Sequence, residues 1–452
     1  MSTQSLLSYA THPASTLRSP SNVDVQSLQS ETTISRLRDR LAGSFIKQSK
    51  HGHARLKLIQ HGGVSIPVYG VGGVVEGVVE LDDVKTEGVD SIQVKIEGQL
   101  KLHESGEFGD SIIQLLDDTK TLWEKRPDSQ ECPKVIEFKL TLPTTFTTND
   151  GETYPLPPTF EVKLKGIPGF KAQIEYSVSA LINRPSTVPT MVPHVKSKAL
   201  GLHVGTTIVN TPILYYPRSR PSFPIPRALA WIPTQGFDLS DEWSTYETVA
   251  KAKQSRLQDV VVKFHVPKSR VFCFTEKIPF YLNIESSAVS LAAFLPYAPT
   301  TGSPSPKVAM KVEVLRQTAV DVKYTTATLN QLAREDMWRV DCIGLGRFSD
   351  HLGNEKTTSA FSGEIGIFDV VQVCAFKAAG LHVKDCLVLS MTPLDPVKCP
   401  FRDFRLVIPI RLATNGWTAD SRDRSGNSSS GAGQERVSQE QEYNVPSTPS
   451  DE

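Results

Sequence analysis

Residues 91 to 102 read Ser-Ile-Gln-Val-Lys-Ile-Glu-Gly-Gln-Leu-Lys-Leu, and apolar and polar side chains alternate along this stretch. Successive side chains of an extended strand point to opposite faces, so the apolar set shares one face and the polar set shares the other. In an α-helix the same residues would be scattered around the axis, because the helical repeat is 3.6 residues. The stretch therefore predicts a strand that is buried on one face and wet on the other.

The same alternation recurs along much of the chain. It is found at 136–142, 160–165, 174–182, 262–266, 278–284, 308–314 and 381–391. Strands with one polar face are typical of antiparallel sheets, whereas parallel sheets are usually buried on both faces. The sequence therefore predicts an all-β protein made of antiparallel sheets.

Length and composition limit the class of protein. A chain of 452 residues exceeds what one hydrophobic core usually organises, so two domains are expected. Lysine plus arginine and aspartate plus glutamate number 49 each, which argues against a nucleic-acid binder, since such proteins normally carry a basic excess. No apolar run approaches a membrane span, and residues 1–10 do not read as a secretory signal. Six cysteines, none in a Cys-x-x-Cys pair, indicate reduced thiols and a cytoplasmic protein.

Composition divides the chain into five predicted parts. Residues 1–53 are expected to be disordered apart from one short helix, and 54–211 to form a first β-sandwich. Residues 212–259 are expected to be a proline-rich linker, because proline removes backbone donors from a sheet. Residues 260–414 are expected to form a second sandwich. Residues 415–452 are Ser/Gly/Gln/Glu-rich and are expected to be a disordered tail.

Three local expectations accompany this division. Ile34, Leu37, Leu41 and Phe45 fit one face of a helix, with arginines between them. That helix could lie on a membrane surface, or it could dock on its own domain. Residues 105–118 read as a loop, and the polar stretch 240–259 reads as a helical piece that completes the linker.

Nothing in the sequence reads as an active site. The glycine-rich stretch 69–73 is followed by valines rather than by a helix with Gly-Lys-Ser/Thr, so a turn is predicted instead of a phosphate loop. His51, His53 and His61 lack acidic or thiol partners at metal-ligand spacing. Nucleophile and metal motifs are absent from the sequence as well. We therefore expect no enzyme activity and no catalytic, metal or cofactor site.

Several segments together resemble a known family. They are Tyr69-Gly70, Ile92-x-Val94-x-Ile96-x-Gly98, Leu156-Pro157-Pro158-Thr159-Phe160, Ile174-x-Tyr176-x-Val178-x-Ala180-x-Ile182-x-Arg184-Pro185, Thr275-Glu276-Lys277-Ile278 and Asn283-Ile284-Glu285-Ser286. They resemble the arrestin superfamily, in particular the fungal arrestin-related (alpha-arrestin-like) proteins, over about residues 56 to 412. The resemblance implies two tandem immunoglobulin-like β-sandwiches. It also implies a non-enzymatic adaptor that holds a membrane-protein cargo, such as a transporter or receptor tail, for ubiquitin-dependent endocytosis.

The implied ligase contact departs from the family pattern. Many fungal members carry Pro-Pro-x-Tyr, which docks on WW domains of HECT-type ubiquitin ligases, and this chain has none. Leu295-Pro296-Tyr297 is the nearest fragment, so direct WW docking is in doubt and loop packing is the alternative. The resemblance further implies a cytoplasmic protein that is recruited to the plasma membrane or endosomes through peripheral contact. A structural subunit of a coat or sorting complex of retromer type is the alternative function.

Four sites are predicted to be phosphorylated. Ser303 and Ser305 precede prolines in a Thr/Gly/Pro-rich stretch, and Thr448 and Ser450 lie in the tail. Each phosphate would add about −1.5 to −2 charges to a chain of zero formal charge. We therefore hypothesise that phosphorylation tunes partner or ligase binding, while polar filler remains the alternative interpretation of these residues.

Overall fold

Strands form most of the computed structural model, which describes fourteen stretches of the chain. Its N-terminal part describes residues 42–50, 52–61, 65–82, 88–105, 109–126, 131–149, 151–166, 169–184 and 205–233. The C-terminal part describes residues 236–301, 309–320, 337–354, 356–419 and 443–445. The prediction of an all-β, antiparallel protein is confirmed within these ranges.

The N-terminal half holds twelve described strands. They are β1 (Ala42–Gln48), β2 (Ala54–His61), β3 (Val68–Tyr69), β4 (Val74–Leu81), β5 (Ser91–Ser105), β6 (Gly109–Glu124), β7 (Val135–Thr141), β8 (Thr145–Thr147), β9 (Thr153–Pro155), β10 (Phe160–Leu164), β11 (Gly169–Asn183) and β12 (Thr206–Tyr215).

Two of the sheets formed by these strands pack face to face. One has the order β1-β2-β4-β7, and the other has the order β3-β12-β11-β5-β6 with β10 paired to β11. Strands β5 and β11 pair over fifteen residues, with Ile96 opposite Val178. The alternation in β5 appears directly in its burial, because Ile92, Val94 and Ile96 are buried and the residues between them are half-buried. The inward faces of both sheets form one hydrophobic core.

The C-terminal half adds the remaining described elements. They are β13 (Ser219–Pro221), β14 (Trp231–Ile232), β15 (Gly236–Phe237), β16 (Trp243–Ala250), β17 (Val260–Pro267), β18 (Val271–Cys273), β19 (Ile278–Glu285), helix α1 (Ala288–Phe294), a 3-10 helix (Leu295–Tyr297), β20 (Met310–Val320), β21 (Met337–Asn354), β22 (Thr358–Ile367), β23 (Phe376–Ala378), β24 (Leu381–Met391), β25 (Phe404–Ala413) and β26 (Tyr443–Val445).

Most of these strands belong to one folded-over sheet. Its order is β16-β17-β19-β22-β21-β20-β24-β25-β18, with β23 paired to β24. The enclosed core contains Phe264, Phe280, Phe348 and Phe401. Register shifts occur in β21 opposite β22, and such bulges bend a strand locally.

The two halves share a buried boundary. Val320, at the end of β20, and Leu381, at the start of β24, are fully buried among side chains of the N-terminal core. The rings of Phe160 and Phe376 meet edge to face across the boundary at 5.1 Å. A backbone contact is added by Arg339, whose Nη1 donates to the carbonyl of Lys163 at 2.6 Å. These contacts fasten the two halves to each other.

The proline-rich segment 212–259 is more ordered than the predicted linker. Strand β12 continues through Pro212 to Tyr215, and the stretch expected to be helical contains β16, which pairs with β17. Pro212 is tolerated in β12 because proline can occupy the side of a strand that donates no ladder hydrogen bond. The segment therefore belongs largely to the two folded halves.

An aromatic cluster holds the middle of this segment against the second half. The ring centroids of Phe237 and Tyr281 lie 5.0 Å apart, and those of Trp243 and Tyr281 lie 5.1 Å apart. Leu229 is buried in the cluster, and its backbone amide donates to the Tyr281 hydroxyl at 3.0 Å. Aromatic clusters of this kind were not recognised in the sequence because their members are far apart along the chain.

Two other local predictions were wrong. The expected loop 105–118 contains most of β6, which pairs with β5 and has register shifts. These irregularities break the strict alternation of apolar and polar residues, so the sequence pattern does not indicate a strand here. Phe45 lies in β1 and packs against the N-terminal core rather than extending a helix, because β2 offers it a partner strand. The other positions of the expected helix lie outside the described residues.

Candidate functional site

The outer face of the six-stranded sheet carries a broad array of charges. We call it the charged sheet face and define it by Lys95, Glu97 and Lys101 on β5, Asp117 on β6, and Lys171 and Glu175 on β11. These residues alternate with core residues, so the pleat that buries Ile96 turns Lys95 and Glu97 outward. The face is therefore a direct consequence of the sequence pattern that specifies the strand.

Ion pairs cross the strands of this face. The Lys95 ammonium lies 3.2 Å from a carboxylate oxygen of Glu97 and 3.2 Å from one of Asp117. Lys101 pairs with Glu175 on the neighbouring strand, and Gln99 donates to Glu97. The side chains of Lys95 and Glu97 are 25% and 34% exposed, and those of Asp117, Lys101 and Glu175 are 43–49% exposed. Contacts to a charged partner can replace such partly exposed pairs, since each pair contributes only about 0–1 kcal/mol to the stability of the fold.

One border of this face is an open strand edge. In the described part of the chain β6 pairs with β5 alone, so its other edge presents backbone N–H and C=O groups. An extended peptide can add to such an edge as a further strand. The exposed Ile112 of β6 lies on the same face, opposite Lys101. The edge and the face together offer main-chain and side-chain contacts to one extended segment.

A buried ion pair lies at the boundary between the halves. Arg316 on β20 and Asp385 on β24 are directly opposite, and the guanidinium donates twice to the carboxylate, at 2.7 and 2.9 Å. Both residues are buried, and on the same strand face Val314 packs in one core and Val320 in the other. The pair therefore separates the two cores. It was missed in the sequence because only the strand register places the two residues side by side.

Cys374 lies near this pair and is chemically quiet. Burial raises the pKa of its thiol to about 12, although the Ser219 hydroxyl and the Arg316 charge act in the opposite direction. A thiol must ionise to act as a nucleophile or to bind a metal strongly. The pKa of Cys386 is likewise raised by burial, to about 11. Cys386 is buried in an apolar cluster and has the character of a packing residue, whereas Cys374 is half-buried.

Leu295, Pro296 and Tyr297 form the 3-10 helix that follows α1. Leu295 and Pro296 are exposed, whereas Tyr297 is half-buried. A WW domain reads an extended polyproline-II segment, and a 3-10 turn does not have that shape. The fragment is therefore not extended in this structure, and the choice between direct WW docking and loop packing stays a prediction.

An apolar corner lies close to that helix. Val397 is 93% exposed, Leu394 is 70% exposed and Val289 on α1 is 67% exposed. The Asp395 carboxylate accepts from the backbone amides of Val397 and Lys398, which fixes the turn that presents Val397 to solvent. Lys398 and Arg256 line a shallow pocket beside it. The corner thus combines projecting apolar side chains with the cation of Arg256 and with Lys398, whose ammonium is paired with the Asp395 carboxylate at 3.2 Å.

The remaining sequence predictions have varied outcomes. The glycine-rich stretch is a turn between β3 and β4, as predicted, and Gly72 there has a φ of +62°. In the residues that the structure describes, no group of three His, Cys, Asp or Glu side chains is arranged to hold a metal ion. Ser303, Ser305, Thr448 and Ser450 lie outside the described residues, so their phosphorylation stays a prediction.

No protein-family model matches the chain, and no curated protein sequence matches it. No described helix is long and apolar enough to cross a membrane.

Proposed function

We propose that this protein is an arrestin-like adaptor that binds an extended cytosolic segment of a membrane protein on its charged sheet face. The observation that carries the proposal is a mixed-charge face on a broad sheet, bordered by the edge strand β6. Main-chain pairing along the edge would supply affinity, and side-chain charges would select the partner. Trafficking of the bound cargo, including ubiquitin-dependent endocytosis, is the role this binding would serve.

The contacts between the halves support an adaptor role. A cargo segment bound to one sandwich can be presented to a second partner only if the two sandwiches keep a fixed relation. The shared core at Val320 and Leu381 and the bond from Arg339 to Lys163 provide such a connection.

Charge reversal on the face tests the proposal. Fluorescent peptides that cover the cytosolic tails of plasma-membrane transporters are titrated with the full chain, and polarisation is measured. Lys101→Glu should lower the affinity of the peptides that bind by about tenfold at low salt, because it adds repulsion and removes the pair with Glu175. Adding Glu175→Lys should restore the local pair but not the original affinity, since the positions of the charges are exchanged.

A matched pair in the other half serves as the control. Lys277, directly before β19, and Glu364 on β22 form an ion pair at 2.8 Å in the C-terminal half. Lys277→Glu should leave peptide affinity unchanged. The proposal is wrong if no tail peptide binds, or if both reversals weaken binding equally.

Peripheral membrane contact at the apolar corner is part of the same proposal. Exposed apolar side chains beside Lys398 and Arg256 fit the boundary of an anionic lipid surface. Sedimentation with vesicles containing phosphatidylserine should be reduced by Val397→Asp. The exposed Ile46 lies on β1, in the other half of the chain, so Ile46→Asp serves as the control. Equal sedimentation of Val397→Asp and the wild-type chain would exclude this contact.

A further inference from the structure

A short proline segment between the two halves is exposed. Residues 222–228 read Ser-Phe-Pro-Ile-Pro-Arg-Ala, and they lie outside the described strands and helices. Phe223 is 50% exposed and Ile225 is 36% exposed, and Pro224 between them is exposed as well. Two large apolar side chains thus project to solvent within three residues.

Both ends of this segment are fixed to the folded protein. On the N-terminal side, the backbone amide of Ser219 donates to the Thr414 hydroxyl at 2.8 Å, and Pro221 is buried. On the C-terminal side, the Trp243 indole donates to the Arg227 carbonyl at 3.2 Å, and Leu229 is buried in the aromatic cluster. The exposed residues are therefore held between two anchors and lose little conformational freedom on binding.

The sequence itself imposes an extended backbone on the exposed residues. Proline fixes φ near −65° at Pro224 and Pro226. Phe223 and Ile225 each precede a proline, and a residue in that position is pushed towards the β and polyproline-II regions. Four consecutive residues thus favour polyproline II, a left-handed helix with three residues per turn.

This period arranges the exposed side chains in ridges. Pro224 and Arg227 are three residues apart and share one ridge, while Ile225 begins the next. All three of these residues are exposed. A polyproline-II ligand docks in a groove lined with aromatic rings, and complementary charges beside such a groove favour one register of the ligand. The segment has both ridges and a terminal cation.

We propose that residues 223–227 are a docking segment for a partner domain that reads polyproline II through an aromatic-lined groove with an acidic rim. Pro224 and Ile225 fill the groove, Phe223 packs at its edge, and Arg227 pairs with the acidic rim. The proposal goes beyond the cargo-binding role and is independent of the charged sheet face. It gives the adaptor a second partner site without a Pro-Pro-x-Tyr motif.

The test uses the full chain and a panel of purified polyproline-reading domains of the SH3, WW and EVH1 types as probes. Binding is measured by calorimetry. At least one domain should bind, and Pro224→Ala and Arg227→Glu should each weaken that binding by about tenfold or more. The effect of Arg227→Glu should shrink at high salt, since a pair at an exposed rim is screened.

Two controls keep the result decisive. Pro133→Ala changes an exposed proline, and Val370→Ala changes an exposed apolar residue, in other parts of the surface. Neither should alter binding, and all variants should keep the wild-type circular dichroism and thermal midpoint. The proposal is overturned if no domain of the panel binds the wild-type chain, or if the Pro224 and Arg227 variants bind like the controls. Because Lys101→Glu should leave this binding intact, failure here and failure of cargo binding are distinguishable.

Discussion

Replacement of Ile96 by aspartate should be among the most damaging single changes in the N-terminal half. Ile96 is 1% exposed and faces the core from the central strand β5. Loss of its burial removes about 1.5–3 kcal/mol, and burial of a carboxyl group without a partner costs about 1–3 kcal/mol even in its neutral form. We therefore expect a loss of about 4 kcal/mol, a large part of the 5–15 kcal/mol that usually stabilises a domain.

The adjacent residue provides the comparison. Lys95→Asp changes the opposite face of the same strand, where the ammonium lies between Glu97 and Asp117. Replacement brings a third carboxylate beside two others, so we expect a loss of about 1 kcal/mol that diminishes with added salt. Lys95→Gln should cost less, because it removes the attraction without adding repulsion.

Urea denaturation followed by circular dichroism measures both variants. With a slope of about 2 kcal/mol per molar urea, the Ile96→Asp transition should move by about 2 M and the Lys95→Asp transition by about 0.5 M. A chain with two folded halves can give more than one unfolding transition, so the transition that Ile96→Asp moves is the one to compare. Equal losses in the two variants would refute the strand register, and with it the distinction between core and charged sheet face.

The remaining predictions concern buried polar groups in the second half and its boundary. Arg316→Leu should destabilise the protein by about 3–5 kcal/mol, because it leaves the Asp385 carboxylate buried without its cation. The double variant, with leucine at both positions, should lose less stability. A double-mutant cycle in urea measures the difference, and additive losses would contradict the pairing. His265 is packed against Phe237 and hydrogen-bonded to Thr245. Burial lowers its pKa from 6.5 to about 4; the charge of Lys263 lowers the pKa further, and the charge of Glu285 raises it. The neutral imidazole therefore contributes stability that is fully present above pH 6.5 and is lost as the pH falls to about 4, to a limit of about 3 kcal/mol. His265→Phe should remove that part of the pH dependence in denaturation curves, and an unchanged slope between pH 6.5 and 4 would show that the imidazole is not buried.

Alternation along the sequence was sufficient to predict the strands that have one face on a core and the other face directed outward. In β5 and β11 the apolar residues face a core and the polar residues face outward, so the period of two appears in composition as well as in structure. Ile96 and Tyr176 could therefore be assigned to the core in advance, and both are buried. The same pattern placed Lys95 and Glu97 together on the charged sheet face.

The local sequence pattern was not sufficient to predict strands, or parts of strands, that are irregular or covered on both faces. β6 and β21 contain register shifts, and residues of β20 are buried in an unbroken run from Val314 to Thr318. Such segments carry no clean alternation, since burial there depends on which other elements cover them. Proline content was also a poor guide, because it identified the segment 212–259 as a linker although much of it pairs in sheets or packs on aromatic rings.

The sequence by itself determined the all-β class, the inward and outward faces of the central strands, and the extended backbone of Phe223 to Pro226. Each of these depends on neighbours within a few residues, through the pleat of a strand or the ring of a proline. Only the tertiary structure decided that Arg316 meets Asp385, that Val320 and Leu381 enter the N-terminal core, and that the proline segment is anchored at both ends. The Arg316–Asp385 contact joins residues 69 positions apart, the Ser219–Thr414 contact 195 positions and the Arg227–Trp243 contact 16 positions. Strand register and packing, rather than local composition, bring such residues together.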